Sequence, residues 1–343
     1  MKTPVTMREV AARAGVTPTV VSRVLHNKAI AVRVSDATAE RVREAAKELG
    51  YRVNVFARNF RERQTNMIGV LHGVNFARPT FSEGSRYFAM LMDGIVDGAF
   101  RRGYAVTLCP KLMGQTPEDA MSDGRFDGLI WYSTIPSEAN QSMLKGCTSP
   151  LVMVHAQIEE FSDQFPIVTC DNEQGIGLAL EHLTGLGHRK IAFGREGDCE
   201  FSESLLRRDA FFRWMADHGY EASENDLIDA DPNYTGVDRY LEGGLRHTAI
   251  LAHNEELAAR FVNRAEAHGI RVPEDLSVIG FDSTRFCEEI RPRLTSVSQP
   301  LKAIGEQAVE LLIARINGDD LPTTKTMMPC GFDIRETTAP PRM

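Results

Sequence analysis

The chain has 343 residues, with 39 Lys and Arg against 47 Asp and Glu, for a formal net charge of −8. That length fits one small and one large domain, or three small ones, and an acidic total excludes a surface that is basic throughout. No apolar run approaches the ~18 residues of a membrane span and no signal peptide is legible, so a cytoplasmic protein is expected. The charge is unevenly distributed. Residues Met1 to Arg63 carry 13 basic and 6 acidic side chains, a balance of +7, and the remainder carries 26 and 41, or −15. A basic N-terminal module on an acidic body suits phosphate neutralisation by the first domain alone.

Thr6 to Leu25 holds two short helical patterns separated by one glycine. Thr6 followed by Glu9 forms a capping box, so the first helix starts near Met7. Val10, Ala11 and Ala14 give it a small apolar face. Gly15 supplies the positive φ that lets the chain leave the helix. Thr17 then caps a second helix with Pro18 at its first position. Val21, Val24 and Leu25 point inward from it, while Thr19, Ser22, Arg23 and His26 point outward. This is a helix-turn-helix pattern whose second helix fits a major groove.

Ser35 caps a third helix with the stripe Val42, Ala45, Ala46 and Leu49, and Gly50 stops it. Asn54 is placed to cap a short helix over Val55 to Arg61, with Phe56 and Phe60 on one side beside Arg58, Arg61 and Arg63. Such a helix suits a minor groove, an apolar side chain wedging between base steps while arginines meet phosphates. A linker whose aromatics pack on the next domain fits those residues equally well.

From Met67 onward, apolar β-branched runs alternate with helical patterns. Eight strands are expected: MIGVL, AVTLC, DGLIWYS, LVMVH, IVTCD, KIAFGR, TAILAHN and LSVIGFD. Helices end at Gly103-Tyr104, Gly187-His188, Gly219-Tyr220 and Gly269-Ile270. Strands apolar throughout and separated by helices imply parallel sheets covered on both faces, and so many strands imply two α/β subdomains.

Ligands of open α/β sheets bind beyond the carboxyl ends of the strands. His155, Asp171, Asn254 and Asp282 follow predicted strands there, and Arg207 lies early in a helix. With the aromatic candidates Tyr87, Phe88, Trp131 and Tyr234, they suit a polyhydroxylated ligand. Asp171 and Asp282 have a second reading as caps of the helices that follow them. The six cysteines, at positions 109, 147, 170, 199, 287 and 330, form no CxxC pair, which argues against a zinc site and a disulfide framework. No GxSxG, P-loop, HExxH or strand-associated GxGxxG occurs, so no enzyme, cofactor or metal is expected.

The segments VTMREVAARAGVTPTVVSRVLHN, SDATAERVREAAKELGYRVN and ARNFRERQTNMIGV resemble the head and hinge of the LacI/GalR family of bacterial regulators. DNEQGIGLALEHLTGLGHRKIAF, LAHNEELAARFV, VPEDLSVIGFDS, RPRLTSVSQP and RETTAPP extend the resemblance over essentially the whole chain. It implies a helix-turn-helix head with a hinge helix at about 54–62 in a domain 1–63. A two-lobed periplasmic-binding-protein-like domain of parallel sheets would span 64–343. It implies a repressor that binds a pseudo-palindromic operator as a homodimer under control of a small molecule, most plainly a carbohydrate. The alternative is a cytosolic binding protein whose DNA role is lost. Contacts to DNA would come from Thr6, Thr17, Pro18, Thr19, Ser22, Arg23, His26, Asn54, Arg58 and Phe60. Effector contacts would come from Phe88, His155, Asp171, Arg207, Tyr234, Asn254 and Asp282.

Several positions depart from the family pattern. The usual proline before Asn54 is Val53, the hinge leucine is Phe60, and the second acid of an Asp-Asp pair is Ser283. The loop Ala29 to Val34 is long, FARPTFSEGS before Arg86 looks like an insertion, and TTAPPRM lacks a tetramer-forming heptad helix.

Overall fold

A computed structural model describes residues 5–26, 34–52, 64–72, 86–108, 121–132, 138–156, 161, 163–196, 202–231, 235–319 and 325–342. The expected hinge helix with Asn54, Arg58 and Phe60, the insertion before Arg86, Tyr234 and residues 29–33 lie outside these. The chain forms two compact units, Met1–Thr65 and Asn66–Met343.

In the first unit, α1 (Met7–Ala14), α2 (Pro18–His26) and α3 (Asp36–Leu49) enclose a small core. The capping box is present: the Thr6 amide donates to Glu9 Oε2 at 2.6 Å and the Glu9 amide to Thr6 Oγ1 at 3.3 Å. Gly15 and Gly50 both take φ of 66°, ending α1 and α3 in the left-handed region. Val10, Ala11, Val21, Val42, Ala45 and Ala46 are buried, with Val24, Leu25 and Leu49 half-buried around them. Three helices therefore close around mostly small side chains, which lets so short a segment fold.

The second unit holds two six-stranded sheets. The first joins β1 (Met67–His72), β2 (Ala105–Leu108), β3 (Gly128–Tyr132), β4 (Leu151–Val154), β5 (Ile167–Cys170) and β11 (Lys325–Met328), in the order β11-β5-β4-β3-β1-β2. The second joins β6 (Ile191–Glu196), β7 (Leu227–Ala230), β8 (Ala249–Ala252), β9 (Ser277–Asp282), β10 (Thr295–Ser298) and β12 (Gly331–Asp333), in the order β12-β10-β9-β8-β6-β7. Every pairing is parallel except β10 with β12. The two lobes thus repeat one doubly wound order, each with a switch point beside its first strand.

All eight expected strands form. Four more, β7, β10, β11 and β12, were not anticipated. Their sequences (LIDA, TSVS, KTMM and GFD) are short and lack the uninterrupted apolar run that marks the others. The last three lie where the chain crosses between lobes. It crosses first after β5, again from β10 through α11 (Leu301–Ile316) to β11, and finally from β11 to β12.

Helix α11 packs on α4 (Arg86–Arg101) so closely that two glycines are required. A Cβ on Gly94 would sit 2.0 Å from the Lys302 carbonyl oxygen, and one on Gly305 2.5 Å from that of Leu91. The surface pairs Lys302–Asp97 at 2.5 Å and Arg101–Glu306 at 2.7 Å flank this contact. Backbone cannot yield as a flexible side-chain tip can. Gly94→Ala is expected to destabilise the protein by about 1–3 kcal/mol, the usual range for an overpacked interior. Urea unfolding measures this, and an unchanged midpoint would refute the close crossing.

Candidate functional site

Arg207 is the centre of a buried polar cluster at the carboxyl ends of both sheets. It projects from the second turn of α7 (Ser202–Asp217), and only 4% of its surface is exposed. Its Nη1 donates to the His253 carbonyl at 2.6 Å and lies 3.6 Å from Asp282 Oδ1. Its Nε donates to Asn172 Oδ1 at 2.9 Å. Below, the guanidinium carbon sits 3.7 Å from the centre of the Phe281 ring, a cation–π contact.

The network continues into the first lobe. Asn172 Nδ2 donates to the Glu203 carboxylate, and Thr169 Oγ1 donates to Glu203 Oε1 at 3.2 Å. His155 Nδ1 lies 3.1 Å from Thr169 Oγ1 and 3.8 Å from Glu203 Oε2. Tyr87 covers His155 at 5.6 Å between ring centres and faces Tyr132 at 6.2 Å. On the other side, Gln299 Nε2 donates to Asp282 Oδ1 at 2.5 Å. Asp171, Gln299 and Cys330 stand on the three crossovers, so the cluster lies where the lobes are joined.

Two of its residues, and the neighbour of one of them, have unusual backbones. His155 takes φ of 51°, while Asp282 and Ser283 take φ of 106° and 53°. Non-glycine residues in the left-handed region are held there by their surroundings. For the turn after Asp282, the holding group is buried Glu255, which accepts from the Thr284 amide at 2.7 Å and from the Thr284 hydroxyl.

The charges are uneven. Burial alone would raise the Glu203 carboxyl, but His155, Arg207 and Asn172 overcome it and hold that group at about 2. Asp282 goes the other way. Burial outweighs the attraction of Arg207, and nearby Glu255 adds repulsion, so its carboxyl is pushed up to about 8. Asp282 is therefore able to donate as well as accept near neutral pH. Among the described residues, His253 Nδ1 and Gln299 Oε1 are buried without a hydrogen-bond partner. Buried polar atoms left that way are costly unless a ligand or water satisfies them.

The structure sorts the sequence-based candidates. Arg207, Asp282 and His155 come together. Asp282 caps no helix. Asp171 and Asn254 are N-caps: Asp171 Oδ1 accepts from the Gln174 amide at 3.0 Å and Asn254 Oδ1 from Leu257 at 2.7 Å. Each has an oxygen committed to its own helix, and among the described residues no hydrogen bond or ion pair joins either side chain to Arg207. Phe88 is buried in the core against Tyr132, with ring centres 5.3 Å apart, and its neighbour Tyr87 reaches the cluster instead. Trp131 is wholly buried in the core of the first lobe and walls no cleft. Glu203, Asn172, Thr169, His253 and Gln299 were missed. Gln299 directly follows β10, a strand whose polar sequence did not announce it, and the proximity of the others arises only from folding.

In the helical head, Thr17, Pro18 and Thr19 are exposed at the start of α2, and Ser22 and Arg23 are half-exposed on its outer side. Thr6 is exposed, but its hydroxyl and amide are engaged by Glu9. His26 is the last residue of α2.

A family model for bacterial regulatory proteins of the lacI family matches residues 6–54, and one for a periplasmic binding protein-like domain matches 180–338. Catabolite control protein A of Priestia megaterium is 31% identical over 342 residues, covering 97% of this chain and 99% of its own. The chain belongs to the lacI family. The transcriptional repressor PurR of Vibrio atlanticus is 30% identical, with 92% of this chain and 93% of that one covered. Among solved structures, a Lac repressor dimer bound to operator and the anti-inducer ONPF shares the fold. Its TM-score is 0.81 at 24% identity, and 98% of this chain and 100% of that one are covered. Among the described residues, no helix of this lacI-family chain is long and apolar enough to cross a membrane.

His253 yields a pH prediction. Burial, reinforced by the charge of Arg207, pushes its imidazole from 6.5 down to about 3. Between those values the unfolded chain binds the proton and the folded chain does not, so stability is lost as pH falls through that window. At pH 5 this costs about 2 kcal/mol. In urea unfolding, His253→Gln should lose about that much less stability than the parent between pH 7 and pH 5, and equal losses would refute the assignment.

Proposed function

We propose that this lacI-family protein is a repressor whose grip on a pseudo-palindromic operator is set by a small polar metabolite bound between its lobes. The observation that carries this reading is the cluster around Arg207. It gathers a fixed cation, a carboxyl able to donate, and two buried polar atoms without a partner, His253 Nδ1 and Gln299 Oε1, at the carboxyl ends of the strands. A carbohydrate matches that pattern, since each hydroxyl both donates and accepts. Arg207, Asp282, Gln299 and His253 include no nucleophile paired with a base, which favours a regulator over an enzyme.

The head supplies the other half. Two copies of α2 set about one helical turn of DNA apart, or a multiple of it, would read two half-sites through Thr17, Thr19, Ser22 and Arg23. Pro18, His26 and Thr6 would border that contact, and Asn54, Arg58 and Phe60 would act at the central minor groove. A homodimer in the cytoplasm accommodates this arrangement, and the fold shared with an operator-bound Lac repressor dimer supports it. Ligand closure of the lobes need change operator affinity by only about 1–3 kcal/mol to switch occupancy.

Selection of sites from random duplex DNA, with and without a metabolite panel, tests the reading. One pseudo-palindrome, gained or lost with a single metabolite, is the expected outcome. Recovery of no site in any condition would overturn it in favour of a binding protein without DNA function. On the selected site, Arg23→Ala should weaken binding by about 1–3 kcal/mol. Arg207→Met should leave metabolite-free binding intact and abolish the metabolite response. A variant that still responds at parental concentration would remove Arg207 from the effector site.

A further inference from the structure

We propose that His155, Cys170 and Glu203 form a binding site for a divalent transition metal of zinc or cobalt type, joining the two lobes. Ligand atoms from the three residues all lie within 4.8 Å of one another, and all three residues are buried. His155 follows β4 and Cys170 ends β5, both in the first lobe, while Glu203 begins α7 beyond β6 in the second. The set combines imidazole, thiolate and carboxylate. That combination favours zinc and cobalt over magnesium or calcium, which prefer oxygen alone.

The spacing is close to what a metal requires. Tetrahedral zinc with bonds of about 2.0–2.3 Å separates its ligand atoms by roughly 3.4–3.6 Å. His155 Nδ1 and Glu203 Oε2 are 3.8 Å apart, and Nδ1 would exchange its 3.1 Å hydrogen bond to Thr169 Oγ1 for the metal. Thr169 and Asn172, which hydrogen-bond the Glu203 carboxylate, are in position to orient it as outer partners. Metal binding replaces the S–H bond of Cys170 with a sulfur–metal bond and releases the proton to solvent. One dication with thiolate and carboxylate then leaves the buried site neutral, which avoids the cost of an unpaired charge. Three protein ligands leave a fourth position for water or for a ligand oxygen in the cleft.

No CxxC spacing announces this site, because its ligands come from three elements and meet only through the fold. It does not depend on the operator or on the identity of the metabolite. Repeating the site selection in chelator-treated buffer tests the effector reading without the metal, so each can fail without the other.

The test is titration of the reduced full-length protein with Co2+, using a phosphine reductant that does not supply thiolate. One equivalent should bind with a near-ultraviolet sulfur-to-cobalt charge-transfer band. Cys170→Ser should abolish the band, and Cys147→Ser, distant in the first-lobe core, should retain it. Glu203→Gln and His155→Ala should each weaken Co2+ binding by about 100-fold, at or above the 10–100-fold effect of outer partners. Circular dichroism confirms that each variant is folded. Absence of the band in the parent, its survival in Cys170→Ser, its loss in Cys147→Ser, or undiminished affinity in Glu203→Gln would overturn the proposal.

Discussion

Burying one guanidinium is the constraint on which the second unit depends. A charge moved out of water is costly unless hydrogen bonds and opposite charge replace its hydration. Arg207 meets that requirement with the His253 carbonyl, the Asn172 amide oxygen, the Phe281 face and nearby Asp282. Those partners come from the turn after β8, the start of α6 (Asn172–Gly185) and the end of β9, so satisfying one side chain fixes the ends of several elements at once. The left-handed backbone at Asp282 and Ser283 follows from the same demand, and Glu255 holds it from behind.

The network is asymmetric in a way that suits a switch. Glu203 is fully ionised among its donors, whereas Asp282 is held above the ordinary carboxyl range although it lies near the same arginine. Geometry explains the difference. Glu203 accepts from Asn172 and Thr169 and sits beside His155, while Asp282 is 3.6 Å from Arg207 and receives only Gln299 among the described residues. A ligand that donates to Gln299 Oε1 and hydrogen-bonds Asp282 or His253 Nδ1 would complete what folding leaves undone.

Local signals carried far in the head. A capping box, two glycines at φ of 66° and apolar positions at helical spacing fix three helices through contacts spanning a few residues. In the body, the eight apolar strands and the glycines ending their helices were legible for the same reason. Strands β7, β10, β11 and β12 were not, because they are short and lack an uninterrupted apolar run, so pairing rather than their own composition holds them in their sheets. Position after a strand identified Asp282 and His155, yet it also selected Asp171 and Asn254, whose oxygens cap their own helices. The two roles look alike in sequence.

The sequence by itself determined the helix-turn-helix, the two-lobed parallel architecture, the charge division between head and body, and Arg207 with Asp282 as a pair worth watching. The helices, the strands and Asp282 rest on periodicity, caps or strand ends, which act over one or two turns of chain. The charge division rests on a count, and Arg207 on its place early in a helix and the family resemblance. Only the tertiary structure decided that Tyr87 rather than Phe88 reaches the cluster, that Trp131 belongs to the core, and that Glu203, Asn172, Gln299 and His253 surround Arg207. The physical reason is distance along the chain: Asn172 and Gln299 stand 127 positions apart, and only the crossing of the chain between two sheets brings them to one buried charge.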